Sequence, residues 1–544
     1  MYLMGKEKIL WIIIFSIITF PSLIFSYEFT SFIYPKEIVL SILLLLLFPF
    51  LLIKKGKLFV PIYLIFLFFF NVFLLSGCMY AKVPEKVIIR STELFLTFVT
   101  LLVLVNLVKD EKYDICIEYG ILISGLLVSL SLIVQYFNVL PVLFPQYTFY
   151  KQLYSVFGNQ NLAGAYIAIV MMGLLVRWNR ILLNDICKFI SFFILGYGLV
   201  LSNSRSSWFS FLVVCTIYIL KKYKNNQWDK RRFVCLTSIM FLVILLMLPN
   251  LYDRFQHTLT DKDVGFRVRL WIYDGSIRMF LSNPFWGVGF GNFYYWSPKY
   301  LGDALNSSYG TMHFRNELLT LHAHNDILEL LTETGSIGVL FVILFYLLPL
   351  FLYRNTYVWW VFLFLSLTNP ILISSSHFII TCLSLFREEE RMNLEEIVNM
   401  NKFLFFSTKT KSIIYCLTVI SILFLFYALW VPDYKLRQAE KLLILGQDCE
   451  AQYAELVNSR FATYSMYEGY AQELIGKGKY QDAYKILQKA LDKTDGGNIY
   501  LLLGMCAEEL GLKEESERWY RECLYRFPDN KEAQDCLSFI EGSR

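Results

Sequence analysis

The residues best suited to chemistry lie in four short stretches. The richest is His322-Ala323-His324-Asn325-Asp326-Ile327-Leu328-Glu329, which runs on through Glu333 to Gly335 and Gly338. It holds two of the chain's five histidines, and histidine is the side chain that takes up and releases protons near neutrality. Continued as a helix from His324, Glu329 and Glu333 fall about 140° and about 180° round the axis, so neither stacks beneath the imidazole. A His-x-His pair can also bind metal. Neither a His-Glu-x-x-His pattern nor a neighbouring cysteine accompanies it, so no metal site is expected. Acid–base work, substrate contact by His322, His324, Asn325 and Glu333, and a structural histidine pair stay open. If His324 is the base, the pH–rate profile should carry a limb near about 6–7.

The other three stretches supply charge and turns. Phe266-Arg267-Val268-Arg269-Leu270-Trp271 opens a run whose apolar residues recur at helical spacing to Phe280, as in a helix lying at a membrane surface. It leads to Asn283-Pro284-Phe285-Trp286-Gly287-Val288-Gly289-Phe290-Gly291-Asn292. The alternating glycines would let backbone amides approach a ligand closely, with Asn292 beside them. No strand precedes them, so a dinucleotide fold is not supported. Ser202-Asn203-Ser204-Arg205-Ser206-Ser207 puts an arginine among hydroxyls between two apolar runs, a place where an ionisable residue suggests function. Gly158-Asn159-Gln160-Asn161 opens another apolar run, where Asn159 and Asn161 can cap a helix or meet a substrate.

The elements that position these residues must sit in lipid. The chain has 544 residues, 56% of them hydrophobic, with mean hydropathy +0.49, above the apolar share of soluble proteins. Apolar runs begin near Ile9, Glu37, Leu58, Thr92, Ile115, Leu162, Ile186, Trp208 and Phe233, and resume near Gly335, Val358, Ile371 and Ser412. That is about 12–13 spans by the hydropathy rule. The stretch from Val358 to Phe386, split by Asn369-Pro370, reads as two short helices or one kinked one. Lys6 and Lys8 precede the first run, with no small-residue cleavage site after it, so it reads as a retained span. Basic clusters at Lys54–Lys57, Arg177–Arg180 and Lys221–Arg232 follow even-numbered spans. They place the N-terminus in the cytoplasm and the long 249–334 loop outside a multi-pass cell membrane. The eleven cysteines are scattered without a Cys-x-x-Cys and read as small hydrophobes. A net charge of +5 implies no nucleic-acid surface.

From residue 433 the chain turns polar and helical in period. Gly446, Gly478 and Gly511 recur at intervals of 32 and 33 positions. This is similar to the tetratricopeptide repeat, an α-solenoid that binds protein partners, and by the span count it lies outside. The expected domains are a membrane domain, 1–432, with the reactive core about 150–386, and a repeat tail, 433–544.

The order of the four stretches resembles the O-antigen ligase/polymerase superfamily of integral membrane glycosyltransferases, over roughly Tyr150 to Phe386. It is carried by Ser-Arg at an outer turn, Arg-x-x-x-Trp, Asn-Pro-x-x-Gly-x-Gly-x-Gly-Asn-Phe, and His-Asn-x-x-Leu-x-x-x-x-Glu-x-Gly-x-x-Gly. The resemblance implies an all-α, GT-C-like polytopic bundle. It implies transfer, with inversion and without metal or other cofactor, of a glycan from an undecaprenyl-diphosphate donor. The acceptor would be a sugar, a lipid-anchored sugar or a protein hydroxyl. Arg205 and Arg267 then fall on the essential arginines, with Arg269 an extra basic residue, and His324 on the catalytic histidine. A flippase is the rival class, but it calls for charges near mid-membrane and inverted repeats. A passive scaffold would leave Arg205, Arg267 and His324 without a role.

Overall fold

Long runs of leucine, isoleucine and phenylalanine can satisfy their backbone within lipid only by coiling into helices. The computed structural model describes residues 2–54, 58–108, 113–137, 155–227, 230–259, 264–313, 322–353, 356–386 and 408–542. Among these it is all-helical, with no β-strand. Tyr150, where the resemblance begins, lies outside the described residues, as do Lys55, Lys57 and positions 260–263 and 314–321 of the outer loop. Among the described residues seven helices are long and apolar enough to cross a membrane. Three shorter apolar ones, Gln160–Val176, Tyr357–Ser366 and Ser375–Phe386, join them.

The membrane part runs α1 (Tyr2–Leu23), α2 (Tyr34–Ile53), α3 (Ile62–Leu75), α4 (Pro84–Leu107), α5 (Asp114–Tyr136), α6 (Gln160–Val176), α7 (Asp185–Leu201), α8 (Arg205–Lys224) and α9 (Lys230–Leu259). Two longer helices of the loop follow, α10 (Val264–Ser282) and α11 (Phe293–Leu305), with a single turn at Gly310–His313, then α12 (Asp326–Leu352), α13 (Tyr357–Ser366), α14 (Ser375–Phe386) and α15 (Thr408–Leu425). α6 is the centre: every residue from Leu162 to Leu175 is buried, as befits a helix apolar on all sides. It packs on α5, α7, α8, α13 and α14. The Val358–Phe386 stretch is two short helices, separated by a 3-10 turn, Ile371–Ile373, directly after Pro370.

The span expected to begin near Gly335 follows a break at that residue (φ 61°, ψ −165°), and a further helical stretch from Asp326 leads into it. Asn325 caps that stretch by accepting from the Leu328 amide at 3.0 Å.

Contacts sort the loops to two ends. At one end Lys411 donates to the Lys54 carbonyl (2.8 Å), Arg177 to that of Ser384 (2.8 Å), and Arg232 meets Asp185 (3.2 Å). These are the basic clusters that the sequence places inside. At the other end the loops holding residues 28–30, 83–85 and 293–306 gather under the tail. Lys441 pairs with Glu28 (2.7 Å), Arg460 with Glu85 (3.2 Å), and Asn306 donates to the Tyr525 carbonyl (2.7 Å).

The tail begins with α16 (Val431–Ile444) and continues through α17 (Glu450–Val457), α18 (Tyr464–Gly476), α19 (Tyr480–Ala490), α20 (Gly497–Glu509), α21 (Lys513–Arg526) and α22 (Lys531–Gly542). Successive helices pack on one another. Gly446, Gly478 and Gly511 each end a helix with φ between 66° and 74°, which is why the spacing recurs. Gly504 lies against the Tyr520 ring, where an added Cβ would come within 2.5 Å of it.

Because the tail packs beside the 293–306 loop and away from the basic loops, reporter fusions at Asn226 and Asp529 are expected on opposite sides of the membrane. The same side for both would refute this arrangement.

Candidate functional site

The break in α12 organises the site. At Gly335 the helix releases the carbonyls of Thr332 and Glu333 and the amides of Ser336 and Ile337. The Pro284–Gly289 segment takes up all four. Val288 and Gly289 amides donate to the Thr332 and Glu333 carbonyls (3.0 and 2.9 Å), while Ser336 and Ile337 amides donate to those of Pro284 and Phe285 (2.7 and 3.1 Å). Gly287 and Gly335 allow this approach. A Cβ on Gly287 would lie 2.4 Å from the Glu333 carbonyl carbon, and one on Gly335 would lie 2.4 Å from the Phe285 oxygen. The glycines expected to bring amides to a ligand therefore bring them to a broken helix.

Asn292 belongs to the same construction. It is buried, and its amide both accepts from the Val83 N–H (2.9 Å) and donates to the Val83 carbonyl (3.2 Å). It thus ties the loop to the start of α4, and both ends of its amide already have protein partners. Glu333 is likewise turned inward, its carboxylate accepting from the Phe293 amide at 3.2 Å at the start of α11.

The His322–Asn325 segment is not helical, so the helical angles expected from His324 do not apply. His324 adopts φ 52°, a left-handed conformation that is uncommon outside glycine. The outcome is that Glu329 meets His322. Its Oε1 lies 3.0 Å from His322 Nδ1, and its Oε2 accepts from the Ala323 amide at 2.9 Å. His324 Nδ1 is buried without a hydrogen-bond partner. Burial, then the positive charge of Arg269 and that of His322, push the His324 imidazole down to about 4. It is therefore unprotonated at neutral pH, and a limb set by it would lie near about 4 rather than near 6–7.

α10 carries the arginines past this point. Trp271 anchors the helix, buried and donating from Nε1 to the Leu301 carbonyl at 2.9 Å. Arg269 is the arginine whose charge reaches His324, and Tyr273, one turn on, bonds to Asn325. Arg267, two residues earlier, stands about 200° round the helix from Arg269 and is half-buried. Arg278 pairs with Asp274 at 2.7 Å.

Arg205 is the first residue of α8, after the left-handed Asn203 (φ 52°). Asn159 caps α6 through the amides of Asn161 and Leu162 (2.8 and 3.3 Å). Gly164, in the next turn, leaves room for Ser202, Ser204 and Ser207. The turns bearing Arg205 and His324 are joined through one bracket, the break between α13 and α14. Asn369 donates to Ser206 Oγ at 2.7 Å. Asp326 accepts from the amides of Ile371 and Leu372 at 3.0 and 3.2 Å.

Sequence reasoning missed the inner wall. A cavity of about 70 Å³ lies between α2, α4, α12 and the Leu372–Phe378 segment. Glu37, Arg90, Glu93, Asp326, Glu329 and Glu333 face it. The available signal was Glu37, Arg90 and Glu93 inside otherwise apolar runs, where an ionisable residue marks function by default.

A protein-family model described as O-antigen ligase matches residues 190–345. The match includes Arg205, Arg267, Arg269, Asn292, His322, His324, Asn325 and Glu333, while Asn159 and Asn161 precede it. No curated protein matches the chain.

With His324 held low by burial and by Arg269, a reaction that needs its free base should be insensitive to pH between about 5 and 8. Arg269→Gln removes a cation and should move the acid limb up, toward the ordinary histidine value. An acid limb that stays put in Arg269→Gln, or already lies near about 6.5 in the parent, contradicts this assignment.

Proposed function

We propose that this protein is a membrane glycosyltransferase that moves a glycan from a polyprenyl-diphosphate donor onto an acceptor hydroxyl at the outer membrane face. The observation that carries the proposal is an unprotonated imidazole, His324, whose buried Nδ1 has no hydrogen-bond partner, set beside Arg269 on a segment matched by the O-antigen ligase family model. The supporting arrangement is the bracket that links its turn to the turn bearing Arg205.

In this reading the acceptor oxygen attacks the anomeric carbon of the donor sugar. The acceptor O–H proton passes to His324 Nδ1, the bond from the anomeric carbon to the phosphate oxygen breaks, and the diphosphate lipid leaves with the electron pair. One displacement inverts the anomeric centre. Arg205 and Arg267 meet the charge that grows on the diphosphate, and Arg269 both assists and keeps His324 in its base form. Guanidinium groups suit this work because they bind phosphate oxygens in pairs. Preorganised charge of this kind is a large catalytic term in a site poor in water. In this reading the arginines supply the charge that stabilises the leaving diphosphate. Asn159, Asn161 and Asn325 are assigned to the substrate-facing ends of the helices they open. The chain then divides at about residue 432 into a membrane enzyme and an outer repeat tail that meets a protein partner.

Purified protein, a lipid-diphosphate glycan and candidate acceptors test this directly. His324→Ala should lower transfer by about 10²–10⁴-fold while donor binding persists. Arg205→Ala and Arg267→Ala should abolish transfer with normal insertion, and lysine should restore little at either place. Chelator should change nothing. Loss of activity with chelator and its return with zinc would replace this mechanism by a metal-dependent one.

A further inference from the structure

α10 is covered on one side only. Trp271 and Met279 are buried in a cluster with Leu301 and Tyr300 of α11, and a Cβ on Gly275, between them, would come within 2.7 Å of the Leu301 side chain. α11 in turn lies under the tail, where Asn306 donates to the Tyr525 carbonyl at 2.7 Å and a Cβ on Gly302 would meet the same oxygen at 2.7 Å. The opposite face of α10 carries Phe266, Leu270, Ile277 and Leu281, which fall within about 60° of one another round the axis. They are 49, 38, 49 and 66% exposed. A row of large apolar side chains of this kind is unfavourable in water and calls for an apolar neighbour.

Continuity identifies the neighbour. Beyond the break at Gly335, α12 exposes Ile337, Leu340, Ile343, Leu347 and Phe351. These form a single helical row on a helix long and apolar enough to cross a membrane, so the row faces acyl chains. Its outer end is joined to the loop, because the Ile337 amide donates to the Phe285 carbonyl at 3.1 Å. Phe285 and Trp286 are themselves exposed and carry the apolar surface on to Leu281, four residues earlier in the chain. Tyr80 holds Trp286 in place, meeting its ring at 5.9 Å and donating to its carbonyl at 2.9 Å. Tryptophan and tyrosine are the side chains that settle where acyl chains meet headgroups. The borders of the α10 row are basic. Arg267 and Arg278 stand about 70–90° to one side of it and Arg269 about 90° to the other, the distribution of a helix lying in the plane of a membrane surface.

We propose that the Phe266–Leu281 face of α10, with Phe285 and Trp286, is a membrane-docking surface seated among the acyl chains of the outer leaflet, its occupant being phospholipid. Helical period alone admits a surface helix; the tertiary structure adds which face goes down, what covers the other face, and the continuous path to the lipid-facing row of α12. A consequence concerns depth. With the row in the acyl layer, Arg267 and Arg269 on its borders lie at headgroup level, where a polyprenyl diphosphate presents its charge. That consequence rests on the transfer reading above; the docking surface does not.

The test uses the full-length protein, one copy per nanodisc of phosphatidylethanolamine and phosphatidylglycerol, with a trace of phospholipid bearing a diazirine in its acyl chain. Adducts are located by mass spectrometry after irradiation. They should form on Leu270, Ile277 and Leu281 as well as on Leu340 and Ile343 of α12. Phe539 of α22, 73% exposed on the tail, should take none, and a water-soluble diazirine should reverse the pattern. In the double variant Ile277→Glu, Leu281→Glu the adducts on α10 should fall about tenfold while those on α12 persist, which shows that the variant is inserted. Its donor KM in the transfer assay should rise about tenfold with the acceptor KM unchanged. Adducts on α12 but not on α10, or labelling of the α10 row by the aqueous probe to the level of Phe539, would overturn the docking surface. Protection of the row that arises only with two copies per disc would assign the face to a second copy of the chain and overturn it equally. An unchanged donor KM in the double variant would remove the consequence for depth. Acyl-chain adducts as expected on a protein that transfers nothing would leave the surface standing and remove the transferase reading instead.

Discussion

A helix that breaks inside an apolar bundle must find new partners for the backbone groups it releases, since each one left bare there costs several kcal/mol. α12 breaks at Gly335, and the four groups set free at Thr332, Glu333, Ser336 and Ile337 are all met by the Pro284–Gly289 segment. Much of the outer face follows from that one requirement. The loop can come close enough only because Gly287 and Gly335 carry no side chain. Once docked, it places Asn292 against Val83 and the Phe293 amide against Glu333, so that α11 starts from a fixed point. The helical turn between Asn325 and Gly335 is thereby held at both ends. Its start carries the histidines and its inner face carries Asp326, Glu329 and Glu333.

The resulting site has two kinds of lining. The arginines proposed to meet the donor lie on α8 and α10, whereas the bundle interior beneath α12 is lined by carboxyl and aromatic side chains. His324 sits where these regions meet. Its depressed basicity follows from its surroundings: a half-enclosed ring near Arg269 gains nothing from holding a further positive charge. In the proposed reaction a base so weak would take the proton only as the acceptor oxygen bonds to carbon, so proton transfer and displacement would be coupled in time.

The tail is mechanically continuous with this site. Tyr294 and Tyr295 of α11 reach Thr494 and the Leu491 carbonyl, and at the far end of α11 Asn306 holds the Tyr525 carbonyl. Arg526, next in the chain, is buried between Asp495 (2.6 Å) and Glu522 (2.7 Å) and lies over the Tyr500 ring. The same α11 begins at the amide that Glu333 accepts. A load on the tail, such as a bound partner, would therefore reach the broken turn of α12 through one thirteen-residue helix.

The sequence alone determined what composition and local period determine. Uninterrupted apolar runs specified membrane helices. Glycines at intervals of 32 and 33 positions specified a repeating helical tail. The types and order of Arg205, Arg267, His324 and the glycine-rich loop specified the class of chemistry to look for. Extrapolation failed where the backbone left the helix: with His324 at φ 52°, the partner of Glu329 became His322. It also failed wherever a contact crosses the chain. Nothing in the spacing of Asn292 announces Val83, 209 positions away. Nor does the spacing of the Arg267/Arg269 pair say which of them faces the imidazole. The cavity is the clearest instance, since its walls come from residues near 37, 90, 329 and 373. Helical period fixes which face of a single helix a residue occupies, but which faces of distant helices meet is settled by packing and by the need to satisfy buried backbone, and both act only in three dimensions.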